Sequence, residues 1–247
     1  MRKFFDPGAL GEEVSRALED AFSGSSSRNL GSAGNSFRYV PMMCGRTPVS
    51  LSLLDALSAI AADLLGRAAL PLRAKGTRYF GETAWHRDSG GEVASLGFAA
   101  YLEPLREFDG ALRVVPGSHR RPREDIPTGG PIGGMSVGEA IETEPGDVIA
   151  FDERVLHASA GGSDRRQWRV DFFADPHGED EEGRVRAWLA GIFQPGWDGG
   201  YDIARYPSYG VHWQQSSRWE VGRLRDLGVY ALAAEEEEAA LARRAIE

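Results

Sequence analysis

The central part of the chain, from about residue 70 to 175, consists of short apolar or alternating runs separated by Gly, Pro and Asp. Such runs are typical of β-strands, and these three residues are typical of the turns between strands. No long helical segments alternate with the runs, so the pattern predicts a sandwich or barrel rather than βαβ units. The runs read AKGTRYF, TAWHRD, VASLGFAAYL, ALRVV, DVIAF, RVLHAS and WRVDFFA.

Helical patterns flank this central part on both sides. Asp6 is a candidate N-cap, and Pro7 follows it at the first position of an amphipathic helix. Apolar spacing predicts a second helix at about 50–66. A C-terminal helix is predicted near 217–245, where four glutamates precede two arginines in the order that the helix dipole favours.

Two stretches rich in small residues predict loops. Residues 23–36 are dominated by Ser, Gly and Asn, and the insert at 122–140 contains paired glycines. Residues 23–36 carry too little apolar surface to order themselves, so we expect a mobile loop that is either a lid over a site or a connection without function. The insert at 122–140 is expected to form a loop across the mouth of the barrel.

The composition excludes several classes of protein. With 247 residues, 42% of them hydrophobic, the chain can bury a sizeable core. The single cysteine, Cys44, rules out a disulfide framework or a cysteine-based metal site within one chain. The net charge of -9 argues against nucleic acid as a partner. No stretch reaches the ~18 apolar residues of a membrane span, so we expect no membrane partner. We further expect a cytoplasmic protein that is a monomer or a homodimer.

Three residues of the central part are candidate metal ligands. His86 and Asp88 stand two positions apart in TAWHRDSGG, so on an extended chain both point to the same face. His157 follows 71 residues after His86 on another strand-like run. Two histidines and one carboxylate leave coordination positions open, which favours non-haem Fe(II) and oxygen chemistry over a closed zinc site. The alternative is an accidental His-x-Asp at a strand end.

An Fe(II) site needs electrons, and a 2-oxo acid that chelates the metal and is decarboxylated can supply them. Its distal carboxylate calls for a cation, and the planar fork of arginine matches it best. Arg169 stands 12 residues after His157, at the predicted start of the next strand. Arg165 and Arg166 fall in the predicted turn before it, where solvated charges are the simpler interpretation. His119 closes VVPGSH, where Pro116 and Gly117 predict a turn, so a structural role is favoured over ligation. His177 and His212 have no partner at ligand spacing.

Taken together, TAWHRD, FDGALRVVPGSHRR and PGDVIAFDERVLHASAGGSDRRQWR resemble the phytanoyl-CoA dioxygenase family of Fe(II)/2-oxoglutarate oxygenases in order and separation. The resemblance covers about residues 75 to 175. It implies a double-stranded β-helix, or jelly roll, with iron bound by His86, Asp88 and His157 and with Arg169 on 2-oxoglutarate. The chain departs from the family pattern at two places. The family usually has Asn-Gly where this chain has Asp109-Gly110, and it usually has Asn-x-Ser where this chain has Gly161-Gly162-Ser163.

The resemblance also implies the organisation of the chain and its reaction. We expect one mainly β domain with flanking helices: a helical part at about 1–66, a jelly-roll core at about 70–175, and a C-terminal loop and helix at about 176–247. Halogenating relatives have a small residue in place of the carboxylate, so Asp88 speaks against halogenation. Hydroxylation with O₂ as co-substrate is the default reaction, and desaturation and ring closure are variants. Arg78 and Ser159 are further candidate co-substrate contacts.

The substrate is predicted only as a class. A basic cluster suited to coenzyme A is absent beyond HRRPR at 119–123, and the segment that begins at Phe193 is rich in Trp, Tyr and Gln. Those aromatic residues could stack on a polar ring or merely cover the barrel. We expect a polar small molecule of secondary metabolism, with four candidate contacts: Trp85, Arg87, Trp168 and Trp213.

Two other functions use the same residues. A cupin-like module could bind a metal or a sugar without redox turnover, and a Zn(II)- or Mn(II)-dependent hydrolase or isomerase could use the same three ligands. A simple metal-binding module has no need of an arginine that anchors a carboxylate. The arginine therefore separates the first alternative from the oxygenase.

Overall fold

A computed structural model describes residues 1–23, 29–30, 36–121, 138–162, 164–195 and 197–246. The helices are α1 (Pro7–Ala21), α2 (Pro48–Leu65), α3 (Gly178–Ile192), α4 (Val211–Gln214), α5 (Trp219–Asp226) and α6 (Val229–Arg244). The strands are β1 (Asn29–Leu30), β2 (Ser36–Pro41), β3 (Ala69–Pro71), β4 (Lys75–Phe80), β5 (Thr83–His86), β6 (Ser95–Tyr101), β7 (Leu112–Val114), β8 (Glu139–Ile141), β9 (Ile149–Asp152), β10 (His157–Ser159) and β11 (Arg165–Ala174).

The described strands form two antiparallel sheets. The larger has the order β1-β2-β4-β11-β6-β9, with β3 paired to the far end of β11, and the smaller has the order β5-β10-β7-β8. Strands that are neighbours in a sheet are thus mostly distant in sequence, as in a jelly roll. The prediction of a mainly β fold with flanking helices is confirmed.

Strand β11 separates the helices from the space between the sheets. Side chains alternate along a strand, so Trp168, Val170 and Phe172 face the main hydrophobic core beneath α1 and α2. Trp168 donates from Nε1 to Ser50 Oγ on α2 at 2.7 Å. The intervening residues face the cavity between the sheets: Arg165, Gln167, Arg169 and Asp171.

The first two helices form as their sequence signals predict. Asp6 caps α1, because its Oδ1 accepts a hydrogen bond from the Gly8 N–H at 2.9 Å, and Pro7 begins the helix. Helix α2 ends at Gly66, whose φ of 70° lies in the left-handed region that favours glycine. Both helices bury an apolar stripe against the larger sheet.

Helix α2 is also long and apolar enough to cross a membrane by composition, with a mean hydropathy of 1.5 over 18 residues. The expectation that no stretch reaches this threshold is therefore wrong. The core helix of a soluble protein passes the same test. Leu54, Leu57 and Ala61 of α2 are buried in the main core.

The C-terminal part differs from its prediction in two ways. The expected single helix is broken at Gly228, whose φ of 83° is incompatible with a continuous helix, so α5 and α6 are separate. Helix α3 was not predicted, although Glu179, Asp180 and Glu181 in its first turn are favourable at a helix start. The loops predicted at 23–36 and 122–140 lie almost wholly outside the described residues.

Candidate active site

Strand pairing brings the two candidate histidine ligands together. His86 ends β5 and lies directly opposite His157, the first residue of β10, with ring centroids 4.2 Å apart. Asp88 follows β5 in a bend, where its N–H donates to the Glu153 carbonyl at 3.0 Å. One ligand atom from each of the three residues lies within 4.8 Å of the other two.

The histidine rings are oriented so that the same nitrogen of each faces Asp88. Nδ1 of His86 lies 2.8 Å from the Ala84 carbonyl, and Nδ1 of His157 lies 2.9 Å from the Val155 carbonyl. A proton on each Nδ1 satisfies these carbonyls and leaves the Nε2 lone pairs free. The Nε2 atoms stand 3.4 and 3.3 Å from the Asp88 carboxylate oxygens. Two imidazole nitrogens and one carboxylate suit a divalent transition metal.

The cluster favours an ionised Asp88. Burial alone would raise the pKa of Asp88, but in the metal-free cluster the charge of Arg169, and the charge and Nε2–H hydrogen bonds of protonated histidine rings, outweigh burial and hold this pKa well below its usual range. A bound metal would take the place of those Nε2 protons. Burial would likewise lower the pKa of His86, and the Asp88 carboxylate more than reverses this effect. The carboxylate is thus in the form that binds a metal.

Arg169 is surrounded by acidic groups. Its Nη2 lies 2.9 Å from Asp88 Oδ2 and 3.0 Å from Glu153 Oε1, and its Nε donates to Asp171 Oδ1 at 2.6 Å. Burial and repulsion from Asp171 raise the pKa of Glu153 to about 8. Lys75 completes this network by binding the second oxygen of Asp171 at 2.9 Å. The charge of Arg169 is thus already shared among three carboxyl groups.

Arg165 has a different environment, although it lies on the same strand face. The prediction that it sits in a turn is wrong, because β11 begins at this residue and its exposure is 2%. Its guanidinium donates to the Gly81 carbonyl, Thr83 Oγ1 and Ser159 Oγ. Among the described residues, no carboxylate lies within ion-pair distance, and the Nε atom has no partner. A buried cation without a counterion is costly unless a ligand supplies the negative charge.

These groups line a cavity of about 460 Å³ between the sheets. We divide the cavity into three parts. The ligand cluster is His86, Asp88 and His157. The inner arm is lined by Tyr79, Thr83, Tyr101, Leu112, Ser159, Arg165 and Gln167. The outer arm is lined by Phe37, Tyr39, Leu72, Arg73, Lys75, Ile192, Phe193, Gln194, Trp197 and Glu236.

Five predicted site residues lie outside this cavity. Arg78 points to the opposite face of β4 and pairs with Asp164, so it is not positioned for the co-substrate. Arg87 donates to the Ser118 carbonyl at 2.8 Å. The tryptophans are core residues: Trp85 packs in a small cluster beside β10, Trp168 packs in the main core, and Trp213 donates to the Tyr230 hydroxyl. Indole size and burial, rather than ligand contact, explain these three positions.

Sequence reasoning missed most of the outer arm. Phe37 and Tyr39 lie on β2, whose run SFRYVP was placed in the helical N-terminal part. Alternation within that run was an available signal, because Phe37 and Tyr39 share one strand face. Phe193 and Trp197 come from the aromatic C-terminal segment, so part of that segment lines the cavity and part covers the core.

The structure thus places a His-Asp-His cluster beside a cavity between two sheets. Residues 54–168, just under half of the chain, match the model of the phytanoyl-CoA dioxygenase (PhyH) family. This match agrees with the resemblance that the motifs indicate. A search of curated proteins found no match.

Solved structures support the fold. The non-heme alpha ketoglutarate dependent epimerase SnoN from nogalamycin biosynthesis is 18% identical, with a TM-score of 0.55 over 70% of this chain and 77% of that one. HygX from Streptomyces hygroscopicus is 16% identical, with a TM-score of 0.54 over 73% and 87%. AviO1 from Streptomyces viridochromogenes Tue57 is 20% identical, with a TM-score of 0.53 over 71% and 88%. The predicted jelly roll is confirmed.

Two of these relatives have been crystallised with ligands. SnoN was solved with Fe³⁺, alpha ketoglutarate and nogalamycin RO. HygX was solved with nickel and 2-oxoglutarate, and also with hygromycin B.

Proposed function

We propose that the chain uses Fe(II), 2-oxoglutarate and O₂ to oxidise a C–H bond of a polar small molecule, by hydroxylation or by the related desaturation or ring closure. The observation that carries this proposal is the cluster of His86, Asp88 and His157 beside a buried arginine, Arg165, that has no counterion within the described parts of the chain. We place the enzyme in the cytoplasm as a monomer or homodimer.

We assign the metal to Nε2 of His86, a carboxylate oxygen of Asp88 and Nε2 of His157. The Ala84 and Val155 carbonyls fix both rings in the orientation that this role needs. Bound Fe(II) would activate O₂, the oxidant, for C–H cleavage, and the chelated 2-oxo acid would supply the two electrons that this activation needs. Arg169 Nη2 also contacts Asp88 Oδ2 at 2.9 Å, which restrains the carboxylate.

We assign the distal carboxylate of 2-oxoglutarate to Arg165 rather than to the predicted Arg169. Arg165 already contacts the hydroxyls of Ser159 and Thr83, which supply two further donors for a carboxylate. Ser159 lies two residues beyond His157 on β10, about 7 Å along the strand. A five-carbon diacid therefore reaches from the ligand cluster into the inner arm. Arg169 is paired with the carboxylates of Asp88 and Asp171 and also contacts Glu153, so it is a poorer anchor.

The lining of the inner arm excludes water from the co-substrate. Tyr101 and Leu112 are buried there, and burial raises the pKa of Tyr79 to about 12. The phenol therefore stays protonated and can donate a hydrogen bond at neutral pH. A dry, preorganised site strengthens the contact of Arg165 with a carboxylate.

The alternatives from the sequence remain testable against this assignment. A cupin-like module that holds a metal or sugar without turnover leaves Arg165 without a counterion, and so does a Zn(II)- or Mn(II)-dependent hydrolase or isomerase. The relatives solved with nogalamycin RO and hygromycin B support a substrate in secondary metabolism.

Anaerobic titration with Fe(II) and 2-oxoglutarate tests the proposal. The expected result is a charge-transfer absorption from the chelated complex, followed by succinate formation when O₂ is admitted. Alanine at His86, Asp88 or His157 should weaken metal binding by about a hundredfold or more and abolish the absorption.

His177→Ala is the matched control, because that histidine is exposed and lies outside the cavity. Circular dichroism should show that all four variants keep their secondary structure. Full metal affinity in any one of the three cluster variants would remove that residue from the ligand set. A wild-type protein that binds Fe(II) but gives no absorption with 2-oxoglutarate would contradict the oxygenase and favour a metal-binding module.

A further inference from the structure

The outer arm is distinct from the ligand cluster and the inner arm in its chemistry. It is bounded by aromatic rings from β2 and from the segment after α3: Phe37, Tyr39, Phe193 and Trp197. Tyr39 and Trp197 meet edge to face with centroids 5.3 Å apart. Such a lining offers flat apolar surface to a ligand ring.

The hydroxyl of Tyr39 is evidence for a polar ligand. The side chain lines the cavity and is 6% exposed, yet its oxygen has no hydrogen-bond partner among the described residues. Burial raises the pKa of Tyr39 well above its usual value, so the phenol is neutral. An unpaired buried hydroxyl is unfavourable unless a ligand pairs with it.

The charges of the outer arm are already neutralised in pairs. Arg73 binds Glu236 and donates to Ser208 Oγ, and its guanidinium stacks 4.6 Å over the ring of Phe193. Lys75 binds Asp171 at 2.9 Å. Both pairs are mostly buried. A charged ligand would have to compete with a partner that each of these groups already has.

We propose that the outer arm binds an uncharged ring that carries hydroxyl groups, with Tyr39 as a hydrogen-bonding partner and Trp197 as a stacking surface. A sugar ring and a polyphenol both have this chemistry. The inference rests on the proposed function in one respect, since the outer arm lines the same cavity as the ligand cluster where oxidation would occur. It argues against an acyl-CoA, whose phosphates would find no free cation among the described residues of the outer arm.

Saturation-transfer NMR on the metal-free full chain tests this proposal without 2-oxoglutarate. The neutral probes are the methyl glycosides of glucose, mannose, galactose and rhamnose, and resorcinol represents the phenols. The charged probes are glucuronate and glucosamine, which match the glucose probe in ring structure. Decanoyl-CoA represents the acyl thioesters. Each probe is used at millimolar concentration.

We expect at least one neutral ring to bind. Comparison of the glycosides with resorcinol distinguishes a sugar ligand from a phenolic one. Tyr39→Phe should weaken that binding about tenfold, because it removes only the hydroxyl. Trp197→Ala should abolish it. Trp219→Ala is the matched control, because Trp219 is half exposed on α5 and lies outside the cavity, and it should leave binding unchanged.

Three results would overturn the proposal. They are the absence of binding by every neutral ring, tighter binding of glucuronate, glucosamine or decanoyl-CoA that persists in Arg165→Ala, and unchanged binding in both Tyr39→Phe and Trp197→Ala. None of these results depends on iron. If no neutral ring binds but the charge-transfer absorption is normal, only the substrate class is rejected. If a neutral ring binds as expected but the absorption is absent, only the oxygenase function is rejected.

Discussion

Arg165 and Arg169 lie four positions apart on one face of β11, and their surroundings give them different roles. Neutral oxygens surround Arg165, whereas three carboxyl groups share Arg169. A bound carboxylate gains most from Arg165, whose positive charge is not balanced by any carboxylate of the described residues. At the scale of single residues, the residue that anchors 2-oxoglutarate is identified by whether its charge is already balanced, and not by its position along the strand.

This contrast predicts how arginine variants change the affinity for 2-oxoglutarate. Arg165→Ala should weaken binding by roughly thirtyfold or more, because a charge-assisted contact in a buried site is worth on the order of 2 to 5 kcal/mol. Arg165→Lys should recover only part of the loss, because an ammonium group cannot reproduce the fork. Binding is measured by the charge-transfer titration under anaerobic conditions.

The neighbouring arginines provide the controls. Arg166 faces away from the cavity, where it binds Glu103 and Ser15, so Arg166→Ala should leave affinity near wild type. Arg169→Ala should weaken Fe(II) binding, because it frees Asp88, and should affect 2-oxoglutarate mainly through the metal. If Arg169→Ala lost 2-oxoglutarate affinity with metal affinity intact, while Arg165→Ala bound normally, the anchor would be the residue first predicted.

The candidate metal ligands could be predicted from sequence for two reasons. His86 and Asp88 are close in sequence, and His157 lies in a run that has a recognisable strand pattern. His86 and Asp88 are separated by one residue, and their distance depends mainly on local geometry. The anchor could not be predicted in the same way. Its identity depends on where β11 begins and on which carboxylates fold against it, and both depend on contacts distant in sequence.

Among the elements, α1 and α2 are joined by a buried carboxylate. Thr47, at the N-cap of α2, makes no side-chain capping bond. Glu13 of α1 takes this role, since its oxygens accept hydrogen bonds from the N–H groups of Val49 and Ser50 at 2.9 and 2.8 Å. A capping group from another helix fixes the packing of both helices as well as the helix end.

Glu13→Ala should lower the free energy of unfolding by on the order of 1 to 3 kcal/mol, because two N–H groups lose their acceptor. Glu12→Ala, one position away on the exposed side of α1, should change it little. Urea unfolding followed by circular dichroism measures both. Equal stability of the two variants would show that the cap contributes nothing.

The same carboxyl gives a pH dependence of known sign. Burial raises the pKa of Glu13, and the two backbone donors offset this only in part. The stabilisation that arises from this raised pKa is complete below the unfolded pKa of about 4.3, and it is lost as the pH rises through the higher folded pKa. Glu13→Gln keeps an acceptor without the charge. We therefore expect the variant's unfolding free energy to fall less than that of wild type as the pH rises above about 4.3. A parallel pH profile would contradict this.

The elements that sequence predicts well are those whose signals are local. Asp6 and Gly66 mark helix ends directly, and seven strand-like runs of the core correspond to strands β4–β7 and β9–β11. Strand β2 was not predicted, because it owes its place to pairing with β4 rather than to a strong pattern of its own. The division into one domain stays a prediction.

At the scale of the whole molecule, the proposed ligands would join the two sheets. His86 and His157 belong to the smaller sheet, whereas Arg165 belongs to β11 of the larger one. Contacts from Arg165 to Thr83 and Ser159 already cross between the sheets. A metal alone would hold together β5 and β10, which are neighbours in one sheet. A co-substrate that reaches both the metal and Arg165 would connect both sheets.

This arrangement predicts stepwise stabilisation, measured by thermal unfolding with Ni(II), which does not turn over the co-substrate. A ligand at one hundred times its Kd adds about 2.7 kcal/mol. Since a chain of this size gains about 2 to 4 °C per kcal/mol, Ni(II) should raise Tm by several degrees, and 2-oxoglutarate should add a further increment only when Ni(II) is present. Arg165→Ala should keep the metal increment and lose the second, and His157→Ala should lose both. Hydrogen exchange should show protection spreading from β5 and β10 to β11 only in the second step. A full second increment in Arg165→Ala, or protection confined to the smaller sheet, would show that the co-substrate does not connect the two sheets.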